Sequence, residues 1–306
     1  CAQSEIGPHD AQADGQCASA REAVQPQKGC RMLPRDPLQP GSSLYYAVRH
    51  APPATRPHLE NWVRWWHEVS VIPFAVQDPG VAEQKLAWWQ QEVQRMHAGQ
   101  AQHPRTTAML QSPTTPPQDL WQSQLQALME LIHQGRWLDE AGQRKHALAT
   151  TGAAAEAAAW ILGARSEAAR ASARELGVAL RQAHDLARLG QDARRGWLHV
   201  PISTLQAHDI KAHELLKPSS ERPAPANWPA LLTYLQNRTV EQFSQFHQQR
   251  RQLERAERQA LLPLAVLADL QQALIHTIAD QGARVLQERI ILTPLRKWWI
   301  SCQSGW

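Results

Sequence analysis

Cysteine, phenylalanine and tyrosine are scarce in this 306-residue chain, which has 4 Cys, 3 Phe and 3 Tyr beside 13 Trp. The four cysteines show no C-x-x-C spacing and are too few for a disulfide scaffold. No H-E-x-x-H pattern is present either, so a zinc site is not expected. A chain without a disulfide framework is typical of a reducing compartment, so a cytoplasmic location is expected.

Blocks of one charge are also absent. Lys and Arg number 32 against 28 Asp and Glu, which gives a net charge of +4, and no basic stripe with interleaved aromatic residues occurs. The sequence therefore predicts no nucleic-acid partner. The one stretch that resembles a membrane span, residues 147–164, is mostly alanine and contains Glu156. This composition favours a buried core helix over a membrane crossing.

The residues that are abundant, mainly Ala, Leu, Gln, Arg and Glu, favour helices. Residues 1–40 are polar, rich in Gln, Pro and Gly, and without period, which predicts a disordered N-terminal arm. Residues 41–306 keep a helical pattern and are predicted to form one all-α domain. Within it, residues 81–97 repeat apolar positions every three or four residues, as an amphipathic helix does.

Helix boundaries follow from caps and breakers. Ser166 is predicted to cap a helix that runs to about Leu189, where Gly190 stops or kinks it. Another helix is predicted from Asn227 to about Leu262. The tryptophan pairs 65–66 and 88–89 fall within helices and are interpreted as core residues. His67, His184 and His199 are interpreted as solvated or hydrogen-bonded side chains.

A charged corner at residues 190–201 carries the strongest local signal for a ligand. Its adjacent guanidinium groups, Arg194 and Arg195, could bind an anion with bidentate geometry. A solvated helix end explains the same residues equally well, and the local pattern leaves both interpretations open.

Several segments taken in order resemble the squalene/phytoene synthase family. They are Ser43-Leu-Tyr-Tyr-Ala47, Pro52-Pro53, Lys85-Leu-Ala-Trp-Trp89 followed by Ala98-Gly99 and His103-Pro104, Asp192-Ala-Arg-Arg-Gly196 followed by Pro201, and Arg296-Lys297. The resemblance implies a single-domain, all-α fold of the isoprenoid-synthase type around a central cavity. It also implies an alkyl-transferring prenyltransferase that joins two prenyl diphosphates head to head, with Mg²⁺ held by two Asp-rich helical motifs.

The sequence departs from the family where that metal would be held. In the first motif the three aspartate positions are Ser70, Val71 and Phe74. In the second motif the three carboxylate positions are Arg188, Gln191 and Asp192, so one carboxylate remains. The family's arginine after Gly196 is Trp197, and its tyrosine two places later is His199. The resemblance therefore implies a site in which the Asp-rich motifs have degenerated.

Arg188 lies four residues before Asp192, so the two side chains are expected to pair on one helix face. Mg²⁺ requires several oxygen ligands and would find about one carboxylate. Asp185 shares that face and leaves two alternatives open: a relocated metal-binding pair, or an exposed Asp185–Arg188–Asp192 ladder of ion pairs. Glu68 is either part of the site or a structural acid near Arg64.

The family comparison suggests ligand-binding side chains but no catalytic residue and no metal ligand. They are Ser43, Tyr45, Tyr46, Glu68, Asp185, Arg188, Asp192, Arg194 and Arg195. The sequence favours a catalytically degenerate homologue linked to isoprenoid metabolism, which binds a prenyl diphosphate, another amphiphile or a partner protein and needs no cofactor. The alternative is an active Mg²⁺-dependent synthase with a rewired site, so enzyme status stays open.

Peripheral contact with the inner face of a membrane is a further expectation. Trp298 and Trp299 stand beside Arg296 and Lys297. Aromatic and basic residues together suit a membrane interface.

Overall fold

The computed structural model describes residues 36–216 and 223–304. Apart from an isolated bridge between Arg136 and Leu198, the regular secondary structure of these residues is helical. The α-helices are α1 Ser43–Val48, α2 Arg56–Ser70, α3 Ile72–Ala75, α4 Pro79–His97, α5 Pro104–Leu110, α6 Gln118–Ile132, α7 Glu140–Ala147, α8 Ala153–Leu162, α9 Glu167–Ala193, α10 Ile202–Ala207, α11 Ala212–Leu216, α12 Trp228–Gln252, α13 Arg255–Ala260, α14 Leu262–Gln281 and α15 Pro294–Ser304. A π-turn, Leu148–Gly152, joins α7 to α8, and a 3₁₀ turn, Gly282–Leu286, follows α14.

The predicted all-α class is confirmed. Of the predicted disordered arm, residues 1–35 lie outside the described residues, and residues 36–40 form turns ahead of α1. The helix predicted for residues 81–97 is α4. The N-cap at Ser166 is also confirmed, since its hydroxyl accepts a hydrogen bond from the Ala169 N–H.

The long helix predicted from Asn227 to about Leu262 was wrong at its C-terminal end. Helix α12 ends at Gln252, because Leu253 adopts an extended conformation. The guanidinium of Arg250 then donates to the carbonyl of Arg258 at 3.0 and 2.6 Å, which closes the corner before α14. A tertiary hydrogen bond of this kind leaves no mark on helical periodicity.

The predicted break at Gly190 was also wrong, since α9 runs through it to Ala193. The reason for glycine here is packing: an added Cβ would lie 1.9 Å from the carbonyl oxygen of Leu286. A second close approach occurs at Gly177, where a Cβ would lie 2.3 Å from the carbonyl oxygen of Thr151 in the π-turn. Two glycines thus let other backbone segments pack directly on α9.

Helix α9 is the central element, with α8, α12 and α14 packed around it. The alanines of α8 are buried, as expected for a core helix. A tryptophan cluster fills the core beside α2. Trp62 stacks on Trp65 with ring centroids 4.9 Å apart, and both rings contact Trp121 edge-on. By length and composition alone, Leu262–Leu286 could cross a membrane, but here it packs against α1, α9, α12 and α15.

Replacing Gly190 with alanine tests the close approach of α9 to Leu286. Alanine is the better helix former by about 1 kcal/mol, but its Cβ would force the two backbones apart. We expect Gly190→Ala to lower the free energy of unfolding by about 1–3 kcal/mol or more, measured by urea denaturation. Gly135→Ala is the matched control, because a Cβ there meets no atom within 4 Å. A Gly190→Ala protein as stable as the wild type would refute this packing argument.

Candidate functional site

The C-terminal end of α9 carries an ion pair at the second-motif positions. The Arg188 guanidinium donates a hydrogen bond to each carboxylate oxygen of Asp192, with Nη2 3.1 Å from Oδ1 and Nε 3.3 Å from Oδ2. The two residues are one helical turn apart, as predicted from their spacing. The single carboxylate left from the second motif is therefore already engaged by a cation of the same chain.

His199 is a second partner of the Asp192 carboxylate. His199 Nε2 lies 3.4 Å from Asp192 Oδ2, and both residues are buried. The side-chain amide of Gln143 donates to the His199 carbonyl at 2.8 Å and fixes that segment. Burial alone would raise the pKa of Asp192, but hydrogen bonds from His199 and Arg188 outweigh it and hold this pKa well below the ordinary value. Asp192 is thus a stable anion.

Asp185 forms a separate pair, so the predicted Asp185–Arg188–Asp192 ladder was wrong. Its carboxylate binds Arg181, one turn earlier, with Arg181 Nε 3.0 Å from Oδ2. Both aspartates are 6% exposed, whereas the predicted ladder was on the surface. Buried carboxylates need a cation and hydrogen bonds nearby, and each aspartate has its own arginine.

Aromatic rings close the space between the two motif positions. Phe74, at a first-motif aspartate position, has its ring centroid 4.9 Å from that of Trp197 and 6.2 Å from that of His199. The Arg181 guanidinium lies 5.9 Å from the Phe74 ring centroid. Where the family pattern has carboxylates converging on metal ions, this chain therefore has aromatic packing over an ion pair.

Positive charge gathers beside Asp192. Desolvation and then the charge of Arg188 lower the pKa of Arg289, and the charge of Asp192 opposes the shift. Burial and then the charge of Arg289 lower the pKa of Lys297, whose Nζ donates to the Gly41 carbonyl at 2.9 Å. In the described part of the chain no carboxylate lies within ion-pair distance of Arg289 or Lys297. We call Arg188, Arg289, Lys297 and the neighbouring His184 the cationic recess.

The recess is open to solvent. His184 and Arg289 are both exposed, so a ligand in solution can reach them. Desolvation by the surrounding protein lowers the pKa of His184 to about 3, assisted by the charges of Arg181, Arg188 and Arg289 and opposed by Asp185. His184 is therefore neutral near pH 7, and the arginines and the lysine carry the charge.

A narrow cleft lies on the adjoining side of α9, facing α12. Its volume is about 30 Å³, which is room for about two water molecules. Drug-sized ligands occupy pockets of about 300–1,000 Å³. The lining includes Asp185, His199 and Arg238. This cleft does not accommodate a prenyl chain.

The residues at the motif positions do not fit Mg²⁺. A serine, a valine, a phenylalanine, an arginine and a glutamine replace five carboxylates, and the remaining Asp192 is bound by Arg188. Among residues 36–216 and 223–304, no group of three or more His, Cys, Asp or Glu side chains could hold a metal ion. The relocated pair considered for Asp185 and Asp192 finds no third carboxylate in the same region.

The other predicted ligand-binding residues lie in different places. Helix α1, with Ser43, Tyr45 and Tyr46, packs on α14 and α15. Tyr46 packs against a small apolar cluster that includes Val266 and Leu270 of α14. The Tyr45 hydroxyl accepts a hydrogen bond from Arg49 at 3.0 Å.

Glu68 is bound by Arg105 at 2.7 Å, so Arg105, and not Arg64, is its structural partner. Arg194 donates to the Leu286 carbonyl at 3.1 Å, and Arg195 is exposed. Of the predicted set, the structure thus brings together Asp185, Arg188 and Asp192 and places Arg194 at the edge of the same region.

Two residues of the site were missed by sequence reasoning. Arg181 lies four residues before Asp185 and was a possible partner, but Arg188 is equally within reach, so spacing alone does not choose between them. Arg289 had no local signal, because about a hundred residues separate it from α9.

Together these features define an all-α protein of the isoprenoid-synthase type, with its site at the C-terminal end of the central helix. The Squalene/phytoene synthase family model matches residues 39–297. The chain belongs to the squalene/phytoene synthase family. A comparison with curated proteins finds no match by sequence.

Solved structures share the fold at low identity. The squalene synthase HpnC from Alicyclobacillus acidocaldarius is 16% identical with a TM-score of 0.67, covering 78% of this chain and 88% of that one. A dehydrosqualene synthase in complex with ligand is 12% identical with a TM-score of 0.70, covering 86% and 90%. YisP from Bacillus subtilis subsp. subtilis strain 168 is 13% identical with a TM-score of 0.61, covering 85% and 89%. At these identities the likeness shows the fold alone.

The stability of the protein should depend on the ionised Asp192. Because its pKa is depressed in the folded state, its contribution is present above the unfolded value of 3.8 and is lost as pH falls through the folded pKa. We expect Asp192→Asn to lower the free energy of unfolding by about 1–3 kcal/mol near pH 6. This deficit should shrink towards about pH 3, because Asp192 gains a proton there in the unfolded wild type while it stays ionised in the folded protein.

Urea unfolding at the two pH values measures the deficit. The control is Asp280→Asn, which replaces an exposed carboxylate and should change stability by less than about 0.5 kcal/mol. A deficit for Asp192→Asn that is equal at both pH values would contradict the stable anion inferred above.

Proposed function

We propose that this chain is a catalytically degenerate member of its family, which binds an amphiphile through an anionic headgroup and without Mg²⁺. One observation carries the proposal: Arg188 occupies a metal-ligand position of the family and is bound to Asp192, the one carboxylate that remains. An arginine supplies positive charge but has no lone pair for a metal ion. The family's need for charge at this point can thus be met by side chains.

The charge of the recess supports an anionic ligand. Arg188 and Arg289 lie within reach of the Asp192 charge, and Lys297 lies within reach of Arg289. Neutral His184 adds no charge, and the nearby Asp185 is bound by Arg181. Guanidinium groups bind phosphate oxygens with bidentate hydrogen bonds. A prenyl diphosphate, the substrate class of the family, or another amphiphile with a phosphate-bearing headgroup meets this chemistry. A role linked to isoprenoid metabolism follows from that ligand class.

The competing function is an active synthase with a rewired site. It requires Asp185 and Asp192 to hold Mg²⁺ with help from Arg194 and Arg195. Each aspartate already has an arginine partner, and freeing a buried carboxylate from its cation is costly. The two functions differ in one respect that can be measured: the synthase needs Mg²⁺ for diphosphate binding, whereas the recess does not.

Calorimetric titration with inorganic pyrophosphate and with farnesyl diphosphate tests the proposal. In the presence of EDTA we expect both ligands to bind. Arg289→Met and Lys297→Met should each weaken binding by about tenfold, equivalent to about 1.4 kcal/mol. The matched control is Arg251→Met, which removes an exposed guanidinium at the far end of α12 and should leave affinity unchanged.

Three results would contradict the proposal. Binding that appears only when Mg²⁺ is added would favour the synthase. Binding that is unaffected by both substitutions would place the ligand elsewhere. No binding under either condition would indicate a scaffold whose site is filled by its own side chains.

A further inference from the structure

Helix α15 presents an apolar stripe to solvent. Leu295, Trp298 and Trp299 are 73%, 49% and 57% exposed, and their i, i+3, i+4 spacing places them on one face. Ile291, just ahead of the helix, is 64% exposed. Large apolar side chains that gather on the surface mark an interaction site, unlike single exposed ones. We call these four residues the α15 face.

The opposite side of α15 is firmly docked. Ser301 is buried, and Ile300 packs against a small apolar cluster that includes Val266 and Leu270 of α14. The Arg296 guanidinium donates to the Thr277 hydroxyl at 2.9 Å, which ties α15 to α14 again. The exposed tryptophans are therefore held at the surface by a helix that is fixed from behind.

The surroundings of the α15 face are basic. Residues 289–304 contain Arg289, Arg296 and Lys297 and no Asp or Glu. Helix α1, which packs beside α15, also lacks acidic residues and is followed by Arg49. The neighbouring segments add two acidic residues, Asp280 near the end of α14 and Glu288, which is paired with Arg284. The charge around the exposed apolar residues is therefore mainly basic.

We propose that the α15 face binds the surface of an anionic lipid bilayer. Tryptophan rings favour the headgroup region of a bilayer, where an apolar body and an N–H group are both satisfied. Leucine and isoleucine enter the acyl boundary, and Lys and Arg beside them attract anionic lipids by about 1 kcal/mol each. A docked amphipathic helix with two tryptophans and a basic border combines these three properties.

A second copy of the chain fits this face less well. A symmetric dimer brings the same patch of both copies together, and the exposed Arg289 and Arg296 beside the patch would then approach the same residues of the other copy. No acidic side chain in residues 289–304 offsets that repulsion. Charge complementarity therefore favours an anionic surface over self-association.

The position of the face also relates it to the recess. Lys297 lies on the docked side of α15, within the electrostatic reach of Arg289. Ile291 of the α15 face is two residues from Arg289, so a bilayer bound at this face would lie close to that member of the cationic recess. The membrane contact stands on its own observations and does not require the proposed ligand.

Vesicle co-sedimentation of the full chain tests the proposal. The probes are vesicles of phosphatidylcholine alone and vesicles with an equal amount of phosphatidylglycerol. We expect binding to the anionic vesicles, weakened by high salt, and little binding to phosphatidylcholine. The double variant Trp298→Ala/Trp299→Ala should bind the anionic vesicles at least about tenfold less well. Trp88→Ala is the matched control, since Trp88 is 41% exposed on α4.

Thermal unfolding of each variant confirms that the fold is retained, and sedimentation analysis gives the oligomeric state. Equal vesicle binding by the double variant and the wild type would overturn the proposal, as would an absence of binding to anionic vesicles. A wild-type dimer that the double variant dissociates would assign the face to a second copy. Failure of pyrophosphate binding would leave this vesicle result unaffected, so the two proposals fail separately.

Discussion

The close approach of α9 to the carbonyl of Leu286 determines the geometry of the site. Gly190 has no side chain, so the segment after α14 packs directly on the helix backbone. The Arg194 guanidinium donates a hydrogen bond to the same carbonyl and stabilises this contact. The chain then continues to Arg289, which comes to lie beside Arg188. One backbone contact thus brings a cation from the C-terminal region to the end of α9, where the second motif lies.

The ion pair between Arg188 and Asp192 gives the site its character. Removing one partner of the pair leaves the charge of the other without its counter-ion, which is why Asp192→Asn is expected to be destabilising. The pair therefore stabilises the fold, and releasing Asp192 to bind a metal ion would also leave Arg188 without its counter-ion. Phe74 and Trp197, which both depart from the family pattern, pack over the same place. The proposed anion site rests on both observations: Arg188 and Arg289 lie near Asp192, and in the described residues no third carboxylate joins Asp185 and Asp192.

Much of the fold was predictable because its signals are local. The apolar period of α4 and the Ser166 cap belong to short stretches of sequence, and ordered motifs supplied the family. The partner of Asp185 was not predictable in this way. Arg181 and Arg188 lie four residues before it and three after it, so both are within reach on one helix. Tertiary packing and burial decided between them. The role of Gly190 and the place of Arg289 also depend on contacts between distant segments.

Turnover of a natural prenyl donor tests the central claim most directly. Purified protein is incubated with farnesyl or geranylgeranyl diphosphate and Mg²⁺, and both pyrophosphate and a C30 or C40 hydrocarbon are measured. The proposed degeneration of the metal site predicts neither product above the background of heat-treated protein. Clear formation of both products by the wild type, abolished in Asp192→Ala, would show that an active synthase survives in this chain.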